Sequence, residues 1–495
     1  MSLPTDPVSG LSWLRESDRS RAEHSALRDR MLSGLYWDDL EKAITTHLPA
    51  LRRQAWGPMD MTSNVFRSIS GEIGPVPYDS EPHLDGPAGS EQLITRSQGG
   101  ILTDCGYWPL MQSTGEQIVG LREVVMRLEH SDVGGLSADP VPPHRVEVDV
   151  LSSAPRRPVR MAIADNRDRP DKDAAQEWTW EQWDITDPMA PSYKILSADR
   201  MHDLTERYAT VDGKAATSAM LSGENWPDRW RWHQGARKGR PFIPCSTYHA
   251  LTKASYWDAW YGIEAVAGSL TMGVLNTFWI HCVRDGSVAT LILVGGVPVG
   301  VKVENADGTP LAWVAIEPGA FNMVQPMTGY EGTVTVERMA ASADPLMLIQ
   351  SIQRFEQRVA LYAGVSAADL IRESGDPRSG YALSVSNEGK RASAARLIPQ
   401  LRRSDLESVE LSAAIVNGAT GSEIPETGYS IGYQGVPLSA GELKARADYV
   451  REMLSLGLIT RADAVLQFHP EFTQAQIVKY LATADAERSL RASIT

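Results

Sequence analysis

Cysteine is scarce in this chain of 495 residues: three, at Cys105, Cys245 and Cys282, far apart and in no CxxC pair. That spacing argues against a disulfide framework and a thiolate zinc site, and makes reduced cytosolic folding the expectation. Excess positive charge is also lacking. Forty-eight Lys and Arg stand against 62 Asp and Glu, a formal net charge of −14. A protein that wraps nucleic acid needs the opposite balance, because Lys and Arg must displace counterions. DNA that merely slides past is not excluded by the same argument. The stretch MSLPTDPVSGLSWLRESDRSR has no apolar run of the kind a secretion signal requires, so none is expected.

Catalytic signatures are missing as well. There is no GxxxxGK[ST] phosphate loop, no GxGxxG between strand and helix, no HExxH and no GxSxG. LVGGVPVG is glycine-rich, yet it lies in a β meander with no helix behind it, so it does not cradle phosphate. The ten histidines are scattered, and His281 and His469 read as packed or capping residues. DNRDRPDKD holds four aspartates, but their spacing and the missing loop glycine fit a solvated turn, not a calcium loop. The expectation is a chain that is not an enzyme and uses neither cofactor nor metal.

One long uncharged run is present, AVAGSLTMGVLNTFWIHCV, residues 265–283. It is long enough to be weighed as a membrane span. Ser269, Thr271, Asn276, Thr277 and His281 interrupt it, and Leu and Ile are few, which favours a helix packed against protein. Gly262, Gly268 and Gly273 weaken such a helix by about 1 kcal/mol each, a cost explained if neighbouring backbones approach closely. Identical copies side by side would be such neighbours.

The period of the pattern changes along the chain. Residues 11–50 read as amphipathic helix, 71–91 as loop, and 110–130 as a second helix. HRVEVDVLSS, VRMAIADNRD, EWTWEQWDIT and YKILSADR then suggest a small sheet over 144–200, with Trp178, Trp180 and Trp183 as packing residues. NWPDRWRWHQGARKGRP has two readings: a surface that touches phosphate or stacks on bases, or a loop pinned by its rings, which is favoured. Residues 288–339 are short apolar runs between GG, DG, PG and GYEG turns, plainly β. Helix returns at Asp344 with Pro345 in the first turn. Leu346, Ile349, Ile352, Phe355, Val359 and Tyr362 form its apolar stripe. GDPRSGYALSVSNEGKR follows as an extended segment, with Asn387 capping a long helix to about Asn417 that Pro399 should kink. The tail is helical, with Thr460 and Thr473 as caps.

A chain of this length holds more than one substructure, and the class is α+β. A helix that leaves, a compact β module and a helix that returns describe a stalk with a tip. Two helices cannot bury their own apolar surface, which predicts assembly of copies into a ring.

In this order of elements the chain resembles the portal proteins of tailed double-stranded DNA bacteriophages. The likeness is strongest in LMLIQSIQRFEQRVALYAGVSAADLIRESGDPRSGYALSVSNEGKRASAARLIPQLRRSDLE, with its GVS corner and SG.AL signature. MTSNVFRSISGEIGPVPYD and REMLSLGLITRADAVLQFHPEF are similar to earlier and later family segments; 144–255 matches nothing residue by residue. The resemblance implies an N-terminal region and wing over 1–253, stem helices at 254–283 and 344–363, and a β-rich clip at 284–343. It further implies a tunnel loop at 364–386, a long helix and wing return at 387–437, and a helical crown at 438–495. Arg372, Arg378, Ser379, Gly380 and Tyr381 would then be tunnel-loop residues facing DNA, Arg354 and Arg358 stem residues, and Lys390 and Arg391 the basic face of the long helix. The function implied is a ring of about twelve copies at one capsid vertex, through which DNA is packaged and ejected. Its partners would be the terminase large subunit, a head-completion or adaptor protein, the major capsid protein, and double-stranded DNA passing through without sequence specificity. It would reside in the virion, and in host cytoplasm during assembly. Two other readings stand beside it: a membrane-associated oligomer using 265–283, and an oligomeric enzyme with an unrecognised site.

Overall fold

The computed structural model describes residues 16–47, 62–94, 100–151, 154–168, 176–221, 226–251, 256–257, 263–287, 290–294, 296–298, 324–326, 335–339, 345–362, 380–433, 440–468 and 477–486. They belong to two units: Met1–Tyr36 with Val65–Val266 and Ala360–Thr495, and Trp37–Asn64 with Ala267–Val359. The class is α+β, helices with several small antiparallel sheets.

Where one helix was expected over 11–50, there are two, α1 (Glu16–Ser33) and α2 (Trp37–His47). A left-handed cap separates them. Gly34 has φ +75°, its N–H bonds Met31 O at 3.3 Å, and Leu35 N–H reaches back to Arg30 O at 2.7 Å. This pattern satisfies carbonyls the helix end would otherwise strand. α3 (Val65–Ile73) leads through a helical turn at Val76–Tyr78 to β1 (His83–Asp85) and the one-turn helices α4 (Glu91–Ile94) and α5 (Ile101–Asp104). α6 (Tyr107–Leu121) then meets the end of α3 backbone to backbone. A Cβ on Gly74 would fall 2.3 Å from Gly115 O, so only glycine fits there.

The helix expected over 110–130 stops at Leu121. Arg122 takes φ +74°, and β2 (Glu123–Ser131) begins at once. Val124, Val125, Met126 and Leu128 are all fully buried. A strand covered on both faces reads as a continuous apolar run, which periodicity does not distinguish from helix. β3 (Gly135–Val141) pairs with it.

The sheet expected over 144–200 is present. β4 (Val146–Leu151), β5 (Ala154–Asp168), β6 (Gln176–Asp184) and β7 (Ser192–Ser197) run antiparallel in that order, with Met161 opposite Trp183. After α7 (Thr205–Tyr208) come the short strands β8 (Thr210–Val211) and β9 (Lys214–Ala215). β10 (Cys245–His249) completes a three-stranded sheet beside β2, Tyr248 opposite Val124.

NWPDRWRWH resolves in favour of packing. Asp228–Gln234 forms 3-10 helix, and Trp226, Trp230 and Trp232 are buried. Trp230 meets Trp183 edge to face at 5.4 Å between centroids, an arrangement aromatic quadrupoles favour.

α8 (Ile263–Ser287) contains the long uncharged run. Within the second unit it buries Ser269, Met272, Val274, Asn276 and Thr277, and Asn276 Nδ2 donates to Ser63 Oγ at 2.5 Å. Ser269, Asn276 and Thr277 are thus inward, while Thr271 is exposed. The neighbour that needs Gly268 is in the same chain: Val359. Gly262 lies outside the described residues, as do the His281 side chain, His469 and Thr473. Among the described residues no helix is long and apolar enough to cross a membrane.

The module after α8 consists of β11 (Thr290–Val294), β12 (Gly296–Pro298), β13 (Val324–Pro326) and β14 (Thr335–Met339). β12 pairs with β13 and β11 with β14, both antiparallel, one ladder nested inside the other. α9 (Pro345–Tyr362) starts on its proline, as expected. Only part of its stripe is covered. Ile352 is buried and Ile349, Phe355 and Val359 are half-buried, while Leu346 and Tyr362 are 70% and 77% exposed; outside the stripe, Met347 and Leu361 are 68% and 65% exposed.

α10 (Gly380–Thr420) continues through Pro399, and β15 (Ser430–Gly432) returns to pair with β1, Leu84 opposite Ile431. α11 (Ala440–Ser455) and α12 (Arg461–Phe468) follow, with helix again at 477–486. Thr460 caps α12 as expected: Asp463 N–H bonds Thr460 Oγ1 at 3.2 Å, and Thr460 N–H bonds the Asp463 carboxylate at 2.9 Å.

Candidate functional site

The longest helix of the first unit, α10, carries the residues on which a DNA-facing role depends. It begins at Gly380, seven residues before the Asn387 cap expected from sequence. Gly380 and Tyr381 therefore open the helix and do not form extended loop. Beyond Gly380 come Ala382, Leu383 and a run of small polar residues, none of which stops a helix once a turn has formed. Arg372, Arg378 and Ser379 lie outside the described residues.

Position along α10 decides the environment of its cations. Lys390 Nζ is 2.8 Å from Glu72 Oε2, both partly buried, so its charge is held by α3. Arg391 is partly buried. Arg396, Arg402 and Arg403 are exposed, on the side of the helix that also shows Ala392, Ala395 and Pro399. Among the described residues none of these three has a carboxylate within ion-pair distance. On α9, Arg354 and Arg358 are exposed, and the Arg358 guanidinium stands 5.1 Å from the Phe355 ring one turn away.

The opposite face of α10 is fixed by a polar cluster that sequence reading did not find. Asp405 is fully buried. It accepts from Tyr78 at 2.9 Å, from Tyr248 at 2.7 Å, and from Tyr433. Tyr107 and Tyr248 hydroxyls are 2.7 Å apart, and Ser408 Oγ is 2.9 Å from Tyr248. Burial pushes Asp405 up to about 6, while hydrogen bonds from the three phenols hold it down against that. Burial and the facing carboxylate raise Tyr78 and Tyr248 well above ordinary phenols. They remain donors at every physiological pH.

A second buried carboxylate has the opposite behaviour. Glu181 of β6 accepts from Arg127 at 3.2 Å, Arg167 at 2.8 Å, Trp230 Nε1 at 2.9 Å, and Tyr193. Arg229 stands 3.6 Å away. Burial alone would raise its pKa, but Arg167, Arg229 and Arg127 outweigh burial and bring it to about 2. This cluster ties β6 to β2 and to the tryptophan turn.

A cleft of about 480 Å³ is lined by Glu129, Asp132, Asp212, Asp228, Arg229 and Arg231. Its two arginines are already paired: Arg229 forks onto Glu129 at 2.9 and 2.8 Å, and Arg231 bonds Asp212 at 2.9 Å and Asp228 at 2.8 Å. No group of three or more His, Cys, Asp and Glu among the described residues is placed to hold a metal ion. What the described part of α10 offers is a helix with a cationic outer face.

The sequence matches no protein-family model and no curated protein. One solved structure similar to the chain is from the neck of an empty GTA particle computed with C6 symmetry. Identity is 13%, the alignment covers 83% of this chain and 94% of that one, and the TM-score is 0.40. At that level the likeness carries no weight for function.

Proposed function

We propose that this chain is the subunit of a phage-type portal: a ring at one capsid vertex through which double-stranded DNA enters and leaves. The observation that carries the reading is the second unit's chain path, helix α8, two nested antiparallel ladders, helix α9, together with the large apolar side chains α9 leaves in water. Leu346, Met347, Leu361 and Tyr362 are each at least 65% exposed. Burying such side chains yields about 25 cal/mol per Å² of apolar area, and identical neighbours in a ring supply the cover. The sequence likeness around residues 346–407 supports the same reading.

In this ring α8 and α9 are the stem and the ladders are the clip, where terminase and later an adaptor dock. The segment before α10, with Arg372 and Arg378, is the tunnel loop, and the C-terminal helices form a crown. The chain has no catalytic role. An acidic subunit suits a conduit, because tight multivalent binding would stall the passage of DNA. Negative-stain imaging of the purified chain tests the proposal directly. A ring with an axial hole is expected; a stable monomer at high concentration overturns it. Arg372→Ala and Arg378→Ala should alter packaging or ejection in an infection assay, and unchanged behaviour removes the tunnel-loop role.

A further inference from the structure

The motif GARKGRP, which follows the buried tryptophans, is not absorbed by the packing that explains them. Ala236 is buried, but Lys238, Gly239 and Arg240 are exposed. The backbone there is unusual: Arg237 (φ +47°, ψ +31°) and Lys238 (φ +54°, ψ +42°) are both left-handed, and Gly239 follows with φ +75°. Two consecutive non-glycine residues in that region persist only where surrounding structure fixes them. What fixes them is the core beneath: the Arg237 guanidinium stands 4.9 Å from the Phe242 ring, which stacks on His233 at 4.4 Å. Gly235 also lies against Gly418 of α10, a Cβ there falling 3.1 Å from the Gly418 Cα.

This turn adjoins the cationic side of α10. Arg237, Arg403 and Arg157 of β5 all lie close enough to Glu407 to act on it electrostatically, and Arg237 also acts on Glu410. Three separate elements of one unit thus bring their arginines to one stretch of α10. From Arg396 to Glu407 that stretch is about 16 Å long at 1.5 Å per residue. Residues 389–404 contain five Lys and Arg and no acid, in a chain whose net charge is −14. The acids Glu407 and Glu410 begin only beyond it, where Arg237 of the turn and Arg403 act on Glu407 and Arg237 on Glu410.

We infer that Arg396, Arg402 and Arg403 of α10, with Arg237, Lys238 and Arg240 of the left-handed turn, form a contact surface for the phosphate backbone of duplex DNA. The inference rests on the portal reading for its biological setting, but not for its chemistry. An elongated row of guanidinium and ammonium groups matches a line of phosphates, which is bound by charge and carries no sequence information. A protein partner would be expected to meet an apolar centre ringed by polar groups. Here the neutral exposed residues of α10 between the arginines are Ala392, Ala395 and Pro399, with no large apolar anchor. The acidic remainder of the chain keeps the contact weak, so that DNA is guided and not held.

The test uses the full chain, a short blunt DNA duplex, and the salt dependence of binding. For each phosphate contact removed, the slope of log K against log salt should shrink by about one. The variant Arg402→Gln/Arg403→Gln/Lys238→Gln/Arg240→Gln should lose most of the slope. Arg461→Gln, whose side chain already pairs with Asp485 at 2.6 Å, should keep it. No duplex binding by the unmodified chain at low salt, or an undiminished slope in the fourfold variant, overturns the inference. So does collapse of a ring that the unmodified chain forms, since the surface would then be a contact between copies. A chain that binds duplex with the expected slope yet sediments as a monomer sinks the portal reading and leaves this surface standing.

Discussion

Gly268 of α8 and Val359 of α9 approach so closely that a Cβ on the glycine would stand 2.9 Å from Val359 Cγ2 and 3.1 Å from Cγ1. The glycine weakens its own helix by about 1 kcal/mol relative to alanine, and the close approach explains its presence. Gly268→Val should destabilise the second unit by about 1–3 kcal/mol through overpacking. Val359→Ala in the same chain should recover most of the loss. Urea melts of the two single variants and the double give the coupling, and additive effects would show that the two side chains do not meet.

Asp405 sets a dependence on pH of known sign. An acid whose pKa is raised to about 6 in the folded chain keeps its proton longer than in the unfolded chain. Its contribution is therefore most favourable below about pH 4 and is lost as pH rises through about 6, a change of about 3 kcal/mol. Asp405→Asn removes the titration, so unmodified chain and variant should diverge between pH 4 and 6. Parallel stability curves would show that the carboxyl titrates normally. Asp405→Ala should cost about 3 kcal/mol or more, because it strands buried phenols.

Glu181 behaves in the opposite sense. Its pKa, lowered to about 2, adds stability that is fully present above its ordinary value near 4.5 and is lost as pH falls toward 2. Glu181→Gln should lower stability at neutral pH by about 3–5 kcal/mol, since it leaves buried arginines unmatched. It should also flatten acid unfolding below pH 4.5. Acid titration followed by tryptophan fluorescence reads both, because Trp230 donates to this carboxylate.

The exposed side chains of α9 give a test of assembly that spares the fold. Leu346→Glu and Met347→Glu place charge where 70% and 68% of the residue surface already meets water. Monomer stability should change by no more than about 0.5 kcal/mol. Ring formation by sedimentation should fall at least tenfold; rings formed as readily as by the unmodified chain would show that this face is not where copies meet.

Much of the β structure was legible because alternation and turn residues mark a half-covered sheet: β4 to β7 follow the pattern. β2 was not. Its first six residues are buried, so it has no alternation, and it reads as a continuation of α6. The break at Gly34 was missed because helical spacing of apolar residues persists across it, although the glycine itself was a visible stop signal. In the cationic face the residue types were legible but not their surroundings: Glu72, which takes the charge of Lys390, is 318 positions away. Asp405 was hidden for the same reason. Nothing in LRRSDLES distinguishes a carboxylate that three distant tyrosines will surround from one that faces water.

That convergence bears on the order in which the first unit is completed during synthesis. Two phenols that close on Asp405 come from Tyr78 and Tyr248, emerging long before their acceptor; the third, Tyr433, comes 28 residues after it. Until Asp405 has been made, those early tyrosines have no anion to answer, and until residues 430–432 follow it, β1 has no β15 beside it. A nascent chain cut short before Asp405 therefore holds not a shortened first unit but an open one, its buried phenols and the edge of β1 left without partners.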